Sequence, residues 1–211
     1  MIGGRSAIAG LVAGLSLLGI GGLVLALGFV GAPPERHADG DGPLVSVNGG
    51  FEAMAVEPVA GVTAWTFGMP LCVEAGADAV TLESVTPSAA VGSGFVVLGT
   101  AVREFTLNQQ HTPIISVSAW PPPHDQVPDD LAPVPGFSVW TACDAGRSGP
   151  YTELLIGLGK SGNDGGGWKG IEVGYTAADR HRIVVLNHNI LICGPSVATE
   201  CRDPTTTEPS G

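Results

Sequence analysis

The sequence predicts an all-β protein: an immunoglobulin-like antiparallel β-sandwich preceded by one N-terminal transmembrane helix. Three observations predict it. Residues 6–32 contain no Asp, Glu, Lys, Arg or His and consist mostly of Leu, Ala, Val, Ile and Gly. The remainder carries short apolar runs of strand length, punctuated by Gly, Pro and Asn/Asp turns. Beyond the apolar segment, no apolar stripe at helical spacing runs past two turns.

The expected layout is a transmembrane anchor at 1–32, a flexible linker at 33–43, a sandwich ectodomain at 44–201 and a disordered tail at 202–211. At about 1.5 Å per residue, a helix over residues 6–30 spans about 37 Å, enough to cross a hydrocarbon core of about 30 Å with some tilt. A cleavable signal usually has an apolar region of only about 7–15 residues, and the small-residue step Val30-Gly31-Ala32 is followed by Pro33. An uncleaved anchor is therefore expected. Arg5 and Arg36 flank it, so the basic-residue rule is nearly balanced. The cysteines beyond the anchor favour an extracytoplasmic C-terminal domain. Ser6, Gly10 and Gly14 repeat every fourth residue, and this small face would let two anchors approach closely and form a homo-oligomer.

Residues 33–43, PPERHADGDGP, are too rich in Pro, Gly and charge to build a core and read as a spacer. Runs at 44–47, 52–56 and 62–67 are brief strands interrupted by Gly and Pro. Residues 79–85 alternate, and 94–105 form a long run in which Gly99 predicts a bulge. A run at 114–119 leads into a stretch with six prolines between Trp120 and Gly136. Proline removes backbone donors, so this stretch is expected to be a surface loop. Strands at 137–142, 151–158, 168–176, 181–186 and 189–193 complete the set. A turn at 177–180 closes a hairpin between the 168–176 and 181–186 strands. The Thr- and Pro-rich tail has the composition of disorder.

All 20 acidic residues, and 8 of the 9 basic ones, lie beyond the anchor, and the whole chain has a formal charge of −11. Such a surface repels phosphate backbones, so nucleic acid is not an expected partner. The four cysteines, Cys72, Cys143, Cys193 and Cys201, lack the Cys-x-x-Cys spacing of zinc or thioredoxin-like sites. In an exported domain an even count points to two disulfides, with three pairings open. If the first and last strong strands are antiparallel neighbours, Cys72–Cys193 staples the domain and leaves Cys143–Cys201. The competing pairing is Cys72–Cys143 with Cys193–Cys201, helped by a turn at Gly194-Pro195.

The Cys72 that precedes the first strong strand, the Cys143 before YTELLIGL, and the closing GIEVGY…HRIVVL…ILIC strands together cover residues 70–193. In these features the chain resembles actinobacterial-type single-pass exported proteins with a Cys-bracketed β-sandwich ectodomain. The resemblance implies a membrane-anchored sandwich and carries no particular activity.

Few constellations suggest chemistry. Gly159-Lys160-Ser161 looks like the end of a phosphate loop, but Leu154 stands where the motif needs Gly, and a Gly-rich turn follows rather than a helix. Gly-x-Ser-x-Gly does not occur, and Ser93, between two glycines, reads as a turn residue. His111, His124, His181 and His188, with Met54 and Met69, are residue types that bind copper outside the cytoplasm. No Cys-His-Met cluster surrounds Cys193, however, so turn or exposed histidines are expected. Asp125, Asp129 and Asp130 do not match a calcium loop. Trp120, Trp140 and Trp168 are expected to pack in or at the core. No catalytic, cofactor or metal residue is assigned. The site residues are the four cysteines and, for contact between anchors, Gly10 and Gly14. The expected function is a non-enzymatic binding module of unknown ligand, held to the lipid bilayer by residues 6–30 and meeting a protein partner at the cell surface. The alternative is an extracytoplasmic copper carrier or an enzyme whose site assembles from loops.

Overall fold

The strands expected from apolar alternation assemble into two sheets that share one core. The computed structural model of the chain describes residues 33–47, 52–108, 112–144 and 149–202. The assigned anchor with Gly10 and Gly14, the tail beyond Arg202, and His111 lie outside these residues. Among the described residues no helix is long and apolar enough to cross a membrane.

In chain order the strands are β1 (Glu35–Ala38), β2 (Leu44–Ser46), β3 (Glu52–Val56), β4 (Ala64–Val73), β5 (Val80–Gly92) and β6 (Phe95–Thr106). They continue as β7 (Ser116–Val117), β8 (Ser138–Val139), β9 (Pro150–Lys160), β10 (Gly166–Ala177), β11 (Arg180–Leu186) and β12 (His188–Ile192), followed by a short helix, α1 (Ala198–Arg202). The first sheet is centred on β10. One edge of β10 pairs with β5, and β8 lies beyond β5. Its other edge pairs with β12 through Gly166–Trp168 and with β11 through Ile171–Ala177. The second sheet runs β2-β4-β9-β6, with β7 also on β4.

The expected all-antiparallel, immunoglobulin-like arrangement is corrected at the margin of the first sheet. There β1 joins β11, and β3 joins β12, in parallel. The lead-in visits the first sheet, then the second through β2, then the first again. Each parallel partner is reached only after most of the chain has intervened, which supplies the crossover that parallel pairing needs. This also corrects the flexible linker at 33–43. The open edge of β11 supplies backbone partners to Glu35–Ala38, Arg36 bonds Glu172, and Asp39 accepts from the backbone N–H of Ser46 at 3.0 Å.

Side chains alternate across each strand. Trp65, Phe67, Met69, Leu71 and Val73 of β4 meet Leu154, Ile156 and Leu158 of β9, together with Trp168, Ile171, Val173 and Tyr175 of β10, between the sheets. The chain crosses from one sheet to the other twice at one corner, after β5 and after β9. Gly94 N donates to Gly165 O at 2.9 Å, and Ser161 N donates to Gly94 O at 3.0 Å. Lys160 and Ser161 thus end a strand, and Ser93 sits in a turn, as expected. The bulge falls between Val97 and Gly99. Ala178 and Asp179, both at positive φ, form the tight turn of the β10–β11 hairpin.

The cysteines are paired Cys72–Cys143 and Cys193–Cys201. This is the competing pairing of the two, and the Cys72–Cys193 staple is corrected: β5 and β12 each pair with β10 rather than with one another, and Cys72 itself lies in β4 of the second sheet. The end of β4 lies instead beside the segment after β8, where Val73 N donates to Thr141 O and Cys143 N donates to Val73 O.

Candidate functional site

The outer face of the second sheet is built from small residues and one ion cluster. Gly68 of β4, Gly99 and Ala101 of β6, and Leu155 and Gly157 of β9 make an apolar floor. Residues 112–134 lie across it as a strap. Ile114 and Val127 are buried on Ala101 and Leu155, with Val117 and Trp120 alongside. Trp120 lies over two facing glycines: a Cβ on Gly157 would come within 2.1 Å of its ring, and one on Gly99 within 3.0 Å. Any side chain at Gly157 would displace the tryptophan. The proline-rich stretch is therefore not a free surface loop. Prolines have no N–H to satisfy, so such a segment can cover a sheet without orphaning donors.

The strap is fastened by Arg103. On adjacent strands Arg103 stands directly opposite Glu153. Its Nε donates to Glu153 Oε2 at 2.7 Å, its Nη1 to Asp129 Oδ2 at 2.5 Å, and its Nη2 to the carbonyl of Thr112 at 2.6 Å. Glu153 Oε1 accepts the backbone N–H of Ile114 at 2.7 Å. Strap and sheet thus share one guanidinium. The three side chains are 1%, 0% and 7% exposed for Arg103, Glu153 and Asp129. Gly68 makes room, since a Cβ there would stand 2.5 Å from Glu153 Oε1. The guanidinium also lies 4.4 Å above the Phe105 ring, which stacks on Tyr151. Two further ties complete the fastening. Thr66 Oγ1 donates to Ala119 O at 2.5 Å, and Val102 and Ala132 exchange backbone bonds at 2.8 Å.

Burial pushes the Glu153 carboxyl up to about 7, against the pull of Arg103 and its hydrogen bonds. A carboxyl in this range exchanges protons near neutrality, but here it lies under the strap. Beside Asp129 a shallow open depression of about 390 Å³ is lined by Glu104, Phe105, Thr106, Asn108 and Pro150. Between the sheets, Trp168 and Ile171 border a void of about 10 Å³, room for about one water molecule.

The residues expected to carry chemistry are dispersed. His181 is exposed and contacts Glu83 at 2.8 Å, His124 is exposed on the strap, and Met69 is in the core. His188 is buried on β12, two residues from the Ile190 that pairs with Met54. Among the described residues no group of three or more His, Cys, Asp or Glu side chains is placed to hold a metal ion. Asp129 is taken up by Arg103, while Asp125 and Asp130 are exposed. Trp168 is buried in the core and Trp120 is half-buried on the outer face. Trp140 is 54% exposed, which corrects its expected packing: Val139 takes the inward position of the two-residue β8, so the next side chain points away.

The cluster around Arg103 was not anticipated. Its signal was present as charges inside largely apolar strand runs: Arg103, next to Glu104, in one and Glu153 in the other. No protein-family model matches the chain, and no curated protein matches it significantly.

Proposed function

We propose that the chain is a single-pass membrane protein anchored by residues 6–30, whose extracytoplasmic sandwich is a non-enzymatic binding module for a protein partner at the cell surface. The observation that carries this reading is the pair of disulfides that lock the domain, a chemistry of oxidising compartments. The apolar, uncharged stretch before Pro33 supports the anchor, and the acidic surface supports a partner that is not nucleic acid. The rigid frame supports binding: two sheets packed on one core, with a third layer clamped to the outside. The small face at Gly10 and Gly14 would bring two anchors together, placing two modules side by side.

Cross-linking in intact cells, followed by recovery of the full chain from solubilised membranes, tests the binding role. A discrete partner should be recovered with the native chain and depleted with the Cys72→Ser/Cys143→Ser variant, which keeps the anchor and destabilises the module. Equal recovery of the same proteins with both chains would contradict the proposal.

A further inference from the structure

The two disulfides differ in what holds their sulfurs together besides the bond itself. Cys72 lies within β4, and the segment that carries Cys143 is bonded to β4 directly. Val73 N donates to Thr141 O at 2.8 Å, and Cys143 N donates to Val73 O at 2.9 Å. Breaking the Cys72–Cys143 bond leaves these backbone bonds in place, so the two thiols stay side by side and re-close readily. The other pair has no such support. Cys193 is buried at the end of β12, where its N–H donates to Val56 O at 2.9 Å. Cys201 is half-buried on α1, a helix of five residues with no buried residue. A helix so short does not persist by itself in water. Arg202 Nε donates to Ala198 O within it, but among the described residues no hydrogen bond or ion pair joins Ala198–Arg202 to the sandwich. Exposure does not separate the two pairs, since Cys143 is itself exposed. The difference is what remains once the sulfurs part.

We propose that Cys193–Cys201 is an exchangeable disulfide, a clip that a dithiol reductant opens while the module stays folded, and that opening it frees α1 from β12. One thiolate of the reductant attacks the sulfur of Cys201, the less buried residue of the pair. The Cys193–Cys201 bond breaks, and Cys193 leaves as a thiolate that takes a proton from water. The reductant's second thiol then attacks the mixed disulfide and releases Cys201, also as a thiol. The reductant ends as its own disulfide and the clip as two thiols, so two electrons have passed to the protein. The corner beside the clip keeps its own ties. Ser196 N and Oγ still donate to Asp164 O, and Val197 stays buried. Release therefore begins at Ala198, α1 unwinds, and the two thiols separate. Cys72–Cys143 is the structural bond and Cys193–Cys201 the redox-sensitive one.

A redox titration of the full chain in detergent tests this. The chain is equilibrated in dithiothreitol buffers of graded reduced-to-oxidised ratio, quenched with an alkylating reagent and mapped by peptide. Tryptophan fluorescence follows the buried Trp65 and Trp168 in the same samples. Cys193 and Cys201 should be half alkylated at a ratio at least about tenfold lower than Cys72 and Cys143. Fluorescence should hold its native value until the second pair opens. In Cys193→Ser/Cys201→Ser the Cys72–Cys143 pair should open at the same ratio as in the native chain. Reduction of both pairs together, earlier reduction of Cys72–Cys143, a fluorescence change on opening the clip, or a shifted ratio in the double variant would overturn the proposal.

Discussion

Arg103→Met is expected to destabilise the folded domain by about 3–5 kcal/mol, the usual cost of removing one partner from a buried ion pair. Methionine replaces most of the arginine stem, so lost packing contributes little. What remains is the buried Glu153 carboxyl without the guanidinium, with the Ile114 N–H still directed at it. The carbonyl of Thr112 loses the Nη2 donor as well. The urea midpoint of the domain should fall accordingly. The triple variant Arg103→Met/Glu153→Leu/Asp129→Leu should recover much of the loss, because apolar replacements of a whole buried ion cluster are often neutral or stabilising. A loss below about 1 kcal/mol for the single variant would place the arginine in the class of exposed pairs, at odds with its burial.

The second large effect is a ranking of the disulfides. Cys72 and Cys143 are 71 residues apart in sequence, and Cys193 and Cys201 only 8. In the chain-entropy account, the longer loop contributes about 4 kcal/mol and the shorter about 2.5 kcal/mol. The local setting widens the gap. The Cys72–Cys143 bridge ties the end of β4 to the segment after β8, joining the margins of the two sheets. The segment between Cys193 and Cys201 keeps other fastenings: Ser196 N and Oγ both donate to Asp164 O, and Val197 is buried. Alanine at Cys72 and Cys143 should therefore lower the thermal midpoint clearly more than alanine at Cys193 and Cys201. The reverse order would contradict the account.

The strands were legible because their signal is local. Alternation at Val80 and Leu82, the glycine-marked bulge at Gly99, and the hairpin joining β10 to β11 depend on a few neighbouring residues. The strap was not legible, because proline content was read as exposure. Its buried positions, Ile114, Val127 and Val134, are widely spaced and show no period. Arg103 and Glu153 belong to no motif that singles them out in the sequence. That they face one another follows from the register of β6 on β9, which no local pattern specifies. Of the two pairings left open, the Cys72–Cys193 staple failed for the same reason: it assumed that the strand after Cys72 and the strand before Cys193 are neighbours, whereas β5 and β12 each pair with β10.

The claim that this is a disulfide-locked module outside the membrane is tested most directly by one peptide map. Intact cells carrying the full chain are treated with a membrane-impermeant amine reagent, free thiols are blocked at lysis, and the chain is digested without reduction. The account predicts label on Lys160 and Lys169, together with linked peptides joining Cys72 to Cys143 and Cys193 to Cys201. Unlabelled lysines with alkylated cysteines would contradict it.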